Sequence, residues 1–164
     1  VARARRPAFF ARHGVQDTPE GRTAVIILLL FPLLERLQGG SLRGRRVARL
    51  VCETFITDID DCLREMGVGD LAVPKKVKRA AQALGERCLA YRRAAAAAEP
   101  VAALAREVAA TVPGLESRPD DAEALAGLML RFADDLRAVP AETLLGAPLA
   151  LPDFPDIAAH SARP

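Results

Sequence analysis

The chain has 164 residues and a formal net charge of +2, and about half of it is apolar although it holds only six Phe, one Tyr and no Trp. That length supports one domain with a real core rather than two, and near-neutral charge with few aromatic rings speaks against a dedicated nucleic-acid binder. Three cysteines, Cys52, Cys62 and Cys88, show no C-x-x-C spacing, which speaks against a disulfide framework or a zinc site and suits a reducing compartment.

An interior of Leu, Val, Ile and Ala favours helices. PAFFARHG, residues 7–14, reads as a short helix closed by Gly14, with the loop VQDTPEGR after it. Thr18 and Pro19 give an N-cap followed by proline at the first helical position. That helix is expected to run to Gln38, stop at Gly39-Gly40 and kink at Pro32. Its run AVIILLLFPLL, residues 24–34, covers about half of the roughly 20 residues needed to cross a bilayer. A buried helix is the expectation.

After GGSLRG, taken as a linker, residues 45–66 carry a strong helical pattern. At about 100° per residue, Val47, Val51, Cys52, Phe55, Ile56, Ile59, Cys62, Leu63 and Met66 share one half of the wheel. Arg46, Arg49, Glu53, Thr57, Asp60 and Arg64 fill the other half, with Asp60 and Arg64 in the favourable acid-first spacing. Gly67 is a natural left-handed cap, and Pro74 opens a helix predicted to reach Ala98 before Pro100. Val77, Ala81, Leu84, Cys88 and Tyr91 face inward there, whereas Lys75, Lys78, Arg79 and Arg93 face solvent. Gly85, within this helix, is expected to mark a close helix contact.

A shorter helix spans residues 101–112, and another begins at Pro119 with Ala124, Leu125, Leu128, Met129 and Phe132 turned inward. Residues 141–164 are proline-rich and should run extended with at most one helical turn. The expected fold is all-α: a single compact helical domain of five or six helices over residues 1–157, with an irregular Pro-rich C-terminal tail whose last residues, 158–164, are disordered. The chain opens on VARARRPAFF without an initiating Met, so an upstream segment is expected.

Charge is unevenly spread: +7 over residues 1–50, −4 over 51–65, +5 over 66–93 and −6 over 94–164. Either a bipolar surface meets an anionic partner, or the two halves complement each other internally. The sharpest local anomaly is GVGDLAVPKKVKR, residues 67–79, which crowds Lys75, Lys76, Lys78 and Arg79 against the positive end of a helix macrodipole. Each such cation costs about 0.3–1 kcal/mol when exposed.

Catalytic chemistry finds little support. Asp58, Asp61 and Glu65 share a strip of about 60° on their helix, which suits acid-base work or a divalent metal. No E-x-x-H partner accompanies them, and His13 and His160 lie near the chain's ends. Ion pairs with neighbouring bases, Arg22 among them, are the expected role. There is no G-x-S-x-G elbow, Cys-His arrangement or phosphate loop. The three cysteines fall on apolar arcs and read as small core residues. No enzyme, no metal site and no cofactor are expected.

FITDIDDCLREMGVGDLAVPKKVKRAAQALGERCLAYRRA, residues 55–94, resembles the central signature of the ubiquinol-cytochrome c chaperone family, an acidic helix of the D-x-D-x-x-L-R-E-M-G-V-G-D type running into a basic one of the V-x-K-K-V-K type. RPAFFARHGVQDTPEGR is similar to the family's opening segment and LLGAPLALPDFPD to its closing one. The chain departs from the pattern in the apolar helix, where many relatives carry a histidine beside a leucine and no proline. The resemblance implies an all-helical assembly factor for respiratory complex III without catalysis of its own, holding newly made cytochrome b or a co-chaperone. It also implies contact with a ribosome or a membrane surface but no specific DNA binding. The location it implies is the bacterial cytoplasm, peripheral at the inner membrane, or the mitochondrial matrix side in a eukaryote. A helical nucleic-acid or ribosome-binding module is the alternative. The expected partner-binding residues are Asp58, Asp61, Arg64, Glu65, Met66, Gly67, Val68, Gly69, Asp70, Lys75, Lys76, Lys78 and Arg79, and an apolar groove lined in part by the second helix is the expected client site.

Overall fold

Seven helices account for 77% of residues 7–146, the described part of the computed structural model, and no strand occurs among them. They are α1 (Pro7–Ala11), α2 (Pro19–Gln38), α3 (Leu42–Glu65), α4 (Val73–Ala95), α5 (Pro100–Thr111), α6 (Pro119–Ala138) and α7 (Ala141–Leu144). The all-α expectation holds, and α7 is the one turn allowed after residue 140. The Pro-rich tail and the arginines before Pro7 lie outside the described residues.

The start of α2 follows its sequence signal. Thr18 is extended, and its hydroxyl accepts from the Gly21 amide at 3.1 Å, satisfying one of the helix's orphan donors. The helix continues through Pro32, which is itself buried. Ten of its twenty residues are buried, among them Val25, Ile27, Leu28, Phe31, Leu34 and Leu37. These positions wrap more than one face, and α2 accordingly lies against α3, α4 and α6. Leu125, Leu128, Met129 and Phe132 of α6 and Leu104 and Val108 of α5 complete the core.

Two helix ends differ from expectation. GGSLRG is not a linker: Ser41 caps α3 by accepting from the Gly44 amide at 3.2 Å, so the helix starts at Leu42. Gly44 is buried, and a Cβ there would meet the Leu37 carbonyl oxygen at 2.6 Å. The α2–α3 crossing is thus as close as backbone permits. The fourth helix ends at Ala95 rather than Ala98, because Pro100 already belongs to α5 and holds Glu99 out of the helical region at φ −117, ψ 78.

Tertiary ties carry part of the polar accounting. Arg36 of α2 donates from Nε to the Leu136 carbonyl at 3.0 Å and from Nη2 to the Val139 carbonyl at 3.1 Å. It therefore places a cation at the negative end of α6. Thr111 donates its only hydroxyl proton to the Glu107 carbonyl at 2.7 Å, so the buried Tyr91 hydroxyl is the donor in its 3.0 Å bond to Thr111 Oγ1. His13 is buried with Nδ1 at 3.4 Å from Asp121 Oδ1, and among the described residues no other such pair joins a residue before 94 to one after it. The other ion pairs among the described residues are mostly local, as with Arg22–Asp17, Arg49–Glu53 and Arg118–Asp121. Among the described residues, ion pairing between the basic and acidic halves is confined to His13 and Asp121.

Candidate functional site

The α3–α4 hairpin ends in the turn singled out in the sequence, and local hydrogen bonds define it. Gly67 takes φ +74, the Val68 amide donates to the Leu63 carbonyl at 3.0 Å and the Gly67 amide to the Arg64 carbonyl at 2.9 Å. That is the Schellman arrangement, which satisfies the last carbonyls of α3 and turns the chain sharply. The Ala72 amide then donates to the Gly69 carbonyl at 2.8 Å, leading into α4. Ala72 offers no side-chain cap, and the first turn of α4 contains no acid.

On this frame the basic residues stand bare. Lys75, Lys76, Lys78 and Arg79 are exposed, and none of their side chains has a hydrogen bond or ion pair to another described residue. No acid among the described residues pairs with them. Arg64 holds Asp60 at 2.6 Å, as its spacing predicts, and also Asp70 at 3.2 Å. Among the described residues Asp58, Asp61 and Glu65 form no ion pair, although Asp61 adds to the negative field at Arg64, and Arg22, their expected partner, instead holds Asp17 at 2.6 Å. Helix azimuth explains this. Cys62 is the α3 residue sensed by Arg22 of α2, while Cys52 is the one sensed by Cys88 of α4. At about 100° per residue, Asp58, Asp61 and Glu65 lie beyond Cys62, on the side of α3 turned away from α4.

The apolar face of α3 outruns its cover. Phe55 is buried and Val51, Cys52, Ile56, Ile59 and Leu63 are half-buried, whereas Cys62 and Met66, both expected inside, are exposed. Cys62 is therefore not a core residue. Gly85 likewise faces open space: nothing lies within 4 Å of the place its Cβ would take, so no helix packs closely there. Leu71, which periodicity does not mark because it stands in the turn, is 99% exposed.

A second feature is the groove expected beside the second helix. A cleft of about 470 Å³ opens between α2, α4, α5 and α6. Phe31, Pro32, Leu104, Met129, Leu130 and Ala133 line it, with Arg36, Arg92, Arg137 and Glu35 also in its wall. The wall is ordered. Arg92 grips Glu35 in a bidentate pair, with Nε at 2.9 Å from Oε2 and Nη2 at 2.5 Å from Oε1, Arg137 pairs with Asp134, and Phe31 meets Tyr91 edge-on at 5.6 Å. The long reaches that place Arg36 and Arg92 join residues far apart in sequence, and no local pattern announces them.

Among the described residues no group of three or more His, Cys, Asp and Glu is placed to hold a metal ion, and no helix is long and apolar enough to cross a membrane. The described residues form an all-α fold whose surface is marked by an apolar cleft and a charged hairpin end. More particularly, the chain belongs to the ubiquinol-cytochrome C chaperone family, whose sequence model matches residues 11–151. A solved structure agrees: the Cbp3 homolog from Brucella abortus is 32% identical and superposes with a TM-score of 0.77, over 93% of this chain and 84% of that one. No curated protein sequence matches the chain.

Proposed function

We propose that the chain is an assembly chaperone for ubiquinol-cytochrome c reductase, respiratory complex III, binding newly made cytochrome b or a co-chaperone and catalysing no reaction itself. The observation that carries this reading is the cleft between α2, α4, α5 and α6, left open in a member of a chaperone family. Its apolar lining beside arginines suits an apolar client segment that carries polar or acidic flanks. The hairpin end, from Asp58 to Arg79, is a second docking surface. There the chain accepts an uncapped, cation-laden helix start, which favours an acidic or phosphate-bearing partner over local stability. The proposed place of action is the cytoplasmic or matrix side of the membrane that holds complex III.

Deletion of the gene tests the assignment: complex III content and cytochrome b haem should fall together, and normal levels of both would refute it. Leu130→Glu, which sets a carboxylate in the cleft at a half-buried position, should abolish client capture while the chain still folds.

A further inference from the structure

At the hairpin end a bare leucine and a bare cation cluster occur together. Leu71 is 99% exposed and Met66 57% exposed, both in the turn between α3 and α4, and Lys75 follows four residues after Leu71. Nothing among the described residues covers Leu71 or neutralises Lys75, Lys78 and Arg79. Asp70, beside Leu71, lies 3.2 Å from Arg64, a cation it shares with Asp60. The remaining acids of α3 lie on the side turned from α4. Further along α4, Glu86, Leu89 and Arg93 share the azimuth of Lys75 and Lys78 at about 100° per residue. Leu89 is 45% exposed, so the outward face of α4 is a basic stripe with an apolar residue within it and another at its tip.

We propose that this end of the hairpin docks on the surface of an anionic phospholipid bilayer, with Leu71 and Met66 entering the boundary between headgroups and acyl chains and the α4 cations lying among the headgroups. This rests on the reading of the hairpin end as a docking surface. The chemistry favours lipid over RNA on three counts. A fully exposed apical leucine has apolar surface to bury in a bilayer and none to bury against a phosphate backbone. The cluster holds three lysines to one arginine, point charges suited to a diffuse surface potential rather than to forked recognition of single phosphates. And no aromatic residue occurs from 56 to 90 on which a base could stack.

The full chain is tested by co-sedimentation with vesicles of phosphatidylcholine alone and of phosphatidylcholine mixed with phosphatidylglycerol. Binding to the mixed vesicles only, weakening with salt, is expected. A lysine at an anionic surface contributes about a fivefold factor in partitioning, so Lys75→Glu, Lys78→Glu and Arg79→Glu together should lose roughly a hundredfold or more. Leu71→Asp should lose about tenfold. Leu71 is 99% exposed, so this variant keeps its melting temperature and decides the matter even if the triple variant folds poorly. Equal binding to both vesicle types, no binding, or indifference to Leu71→Asp would overturn the inference. So would an RNA homopolymer that strips the wild-type chain from vesicles and binds the Leu71→Asp variant equally well. Client capture in detergent is measured alongside. Capture without vesicle binding overturns the membrane inference alone, and vesicle binding without capture overturns the chaperone reading alone.

Discussion

Two pairs of helices of similar length are buried very differently. Ten of the twenty residues of α2 and seven of the twenty in α6 are buried, against three of twenty-four in α3 and four of twenty-three in α4. Periodicity does not separate the pairs, since α3 has the cleanest apolar stripe in the chain. What differs is coverage: α2 is enclosed by α3, α4 and α6, whereas α3 packs chiefly on α2 and α4, and few residues are buried in the far half of the hairpin. There Phe55, Leu84 and Val73 are buried, and Val73 stands apart from the main cluster. One pair carries stability and the other carries surface.

Single substitutions should therefore divide by region. Leu28→Ala, at a fully buried position of α2, should cost about 3–5 kcal/mol in urea unfolding, whereas Leu71→Ala at the hairpin tip should change stability by less than about 0.5 kcal/mol. Comparable losses at the two sites would mean that the tip is packed and the contrast false. Gly67→Ala tests the one place where the hairpin does rely on local structure. The site is open, so the whole effect is the strain of an L-residue at φ +74, about 1–2 kcal/mol.

Alkaline pH sharpens the same contrast from within the hairpin. Burial pushes the Cys88 thiol up to about 11 from an ordinary 9.0, so the fold favours its protonated form. That contribution is complete below about pH 9 and is lost as pH rises toward 11. Cys88 is only half-buried, so solvent screening reduces the effect to about 1 kcal/mol. Unfolding free energies measured across that range should slope downward, and Cys88→Ser should lessen the slope. It will not abolish it, because burial also raises the Tyr91 phenol.

How much of this is legible in the sequence follows from which signals are local. Thr18-Pro19, Gly67 and the Asp60–Arg64 spacing act within one helical turn, and each stands where its pattern puts it. Coverage is not local. Met66 and Cys62 continue an apolar stripe yet stand exposed, and nothing in residues 45–66 says where its cover stops. Gly85 shows the same gap from the other side. A mid-helix glycine signals close packing only if a neighbour is there, and here none is. Gly85→Ala should accordingly stabilise the chain by about 1 kcal/mol in thermal or urea unfolding, through helix propensity alone. A loss would restore the helix contact that the structure lacks. The cleft depends on reaches such as Arg36 to Leu136 and Arg92 to Glu35, pairings that only the folded topology sets.

The smallest effect decides most about the opening of α4. If Lys75 were held by an acid across the turn, Lys75→Glu would lower the melting temperature by breaking that pair. The described residues give it no such partner, and the substitution puts a carboxylate where the macrodipole favours one and where no side-chain cap exists. Stability should rise, by about 0.3–1 kcal/mol, and the gain should shrink with added salt. Partner or vesicle binding should fall in the same variant. A residue kept for folding would move both measurements the same way. Opposite signs identify a position at which the chain forgoes available helix stability to keep a positive charge on display.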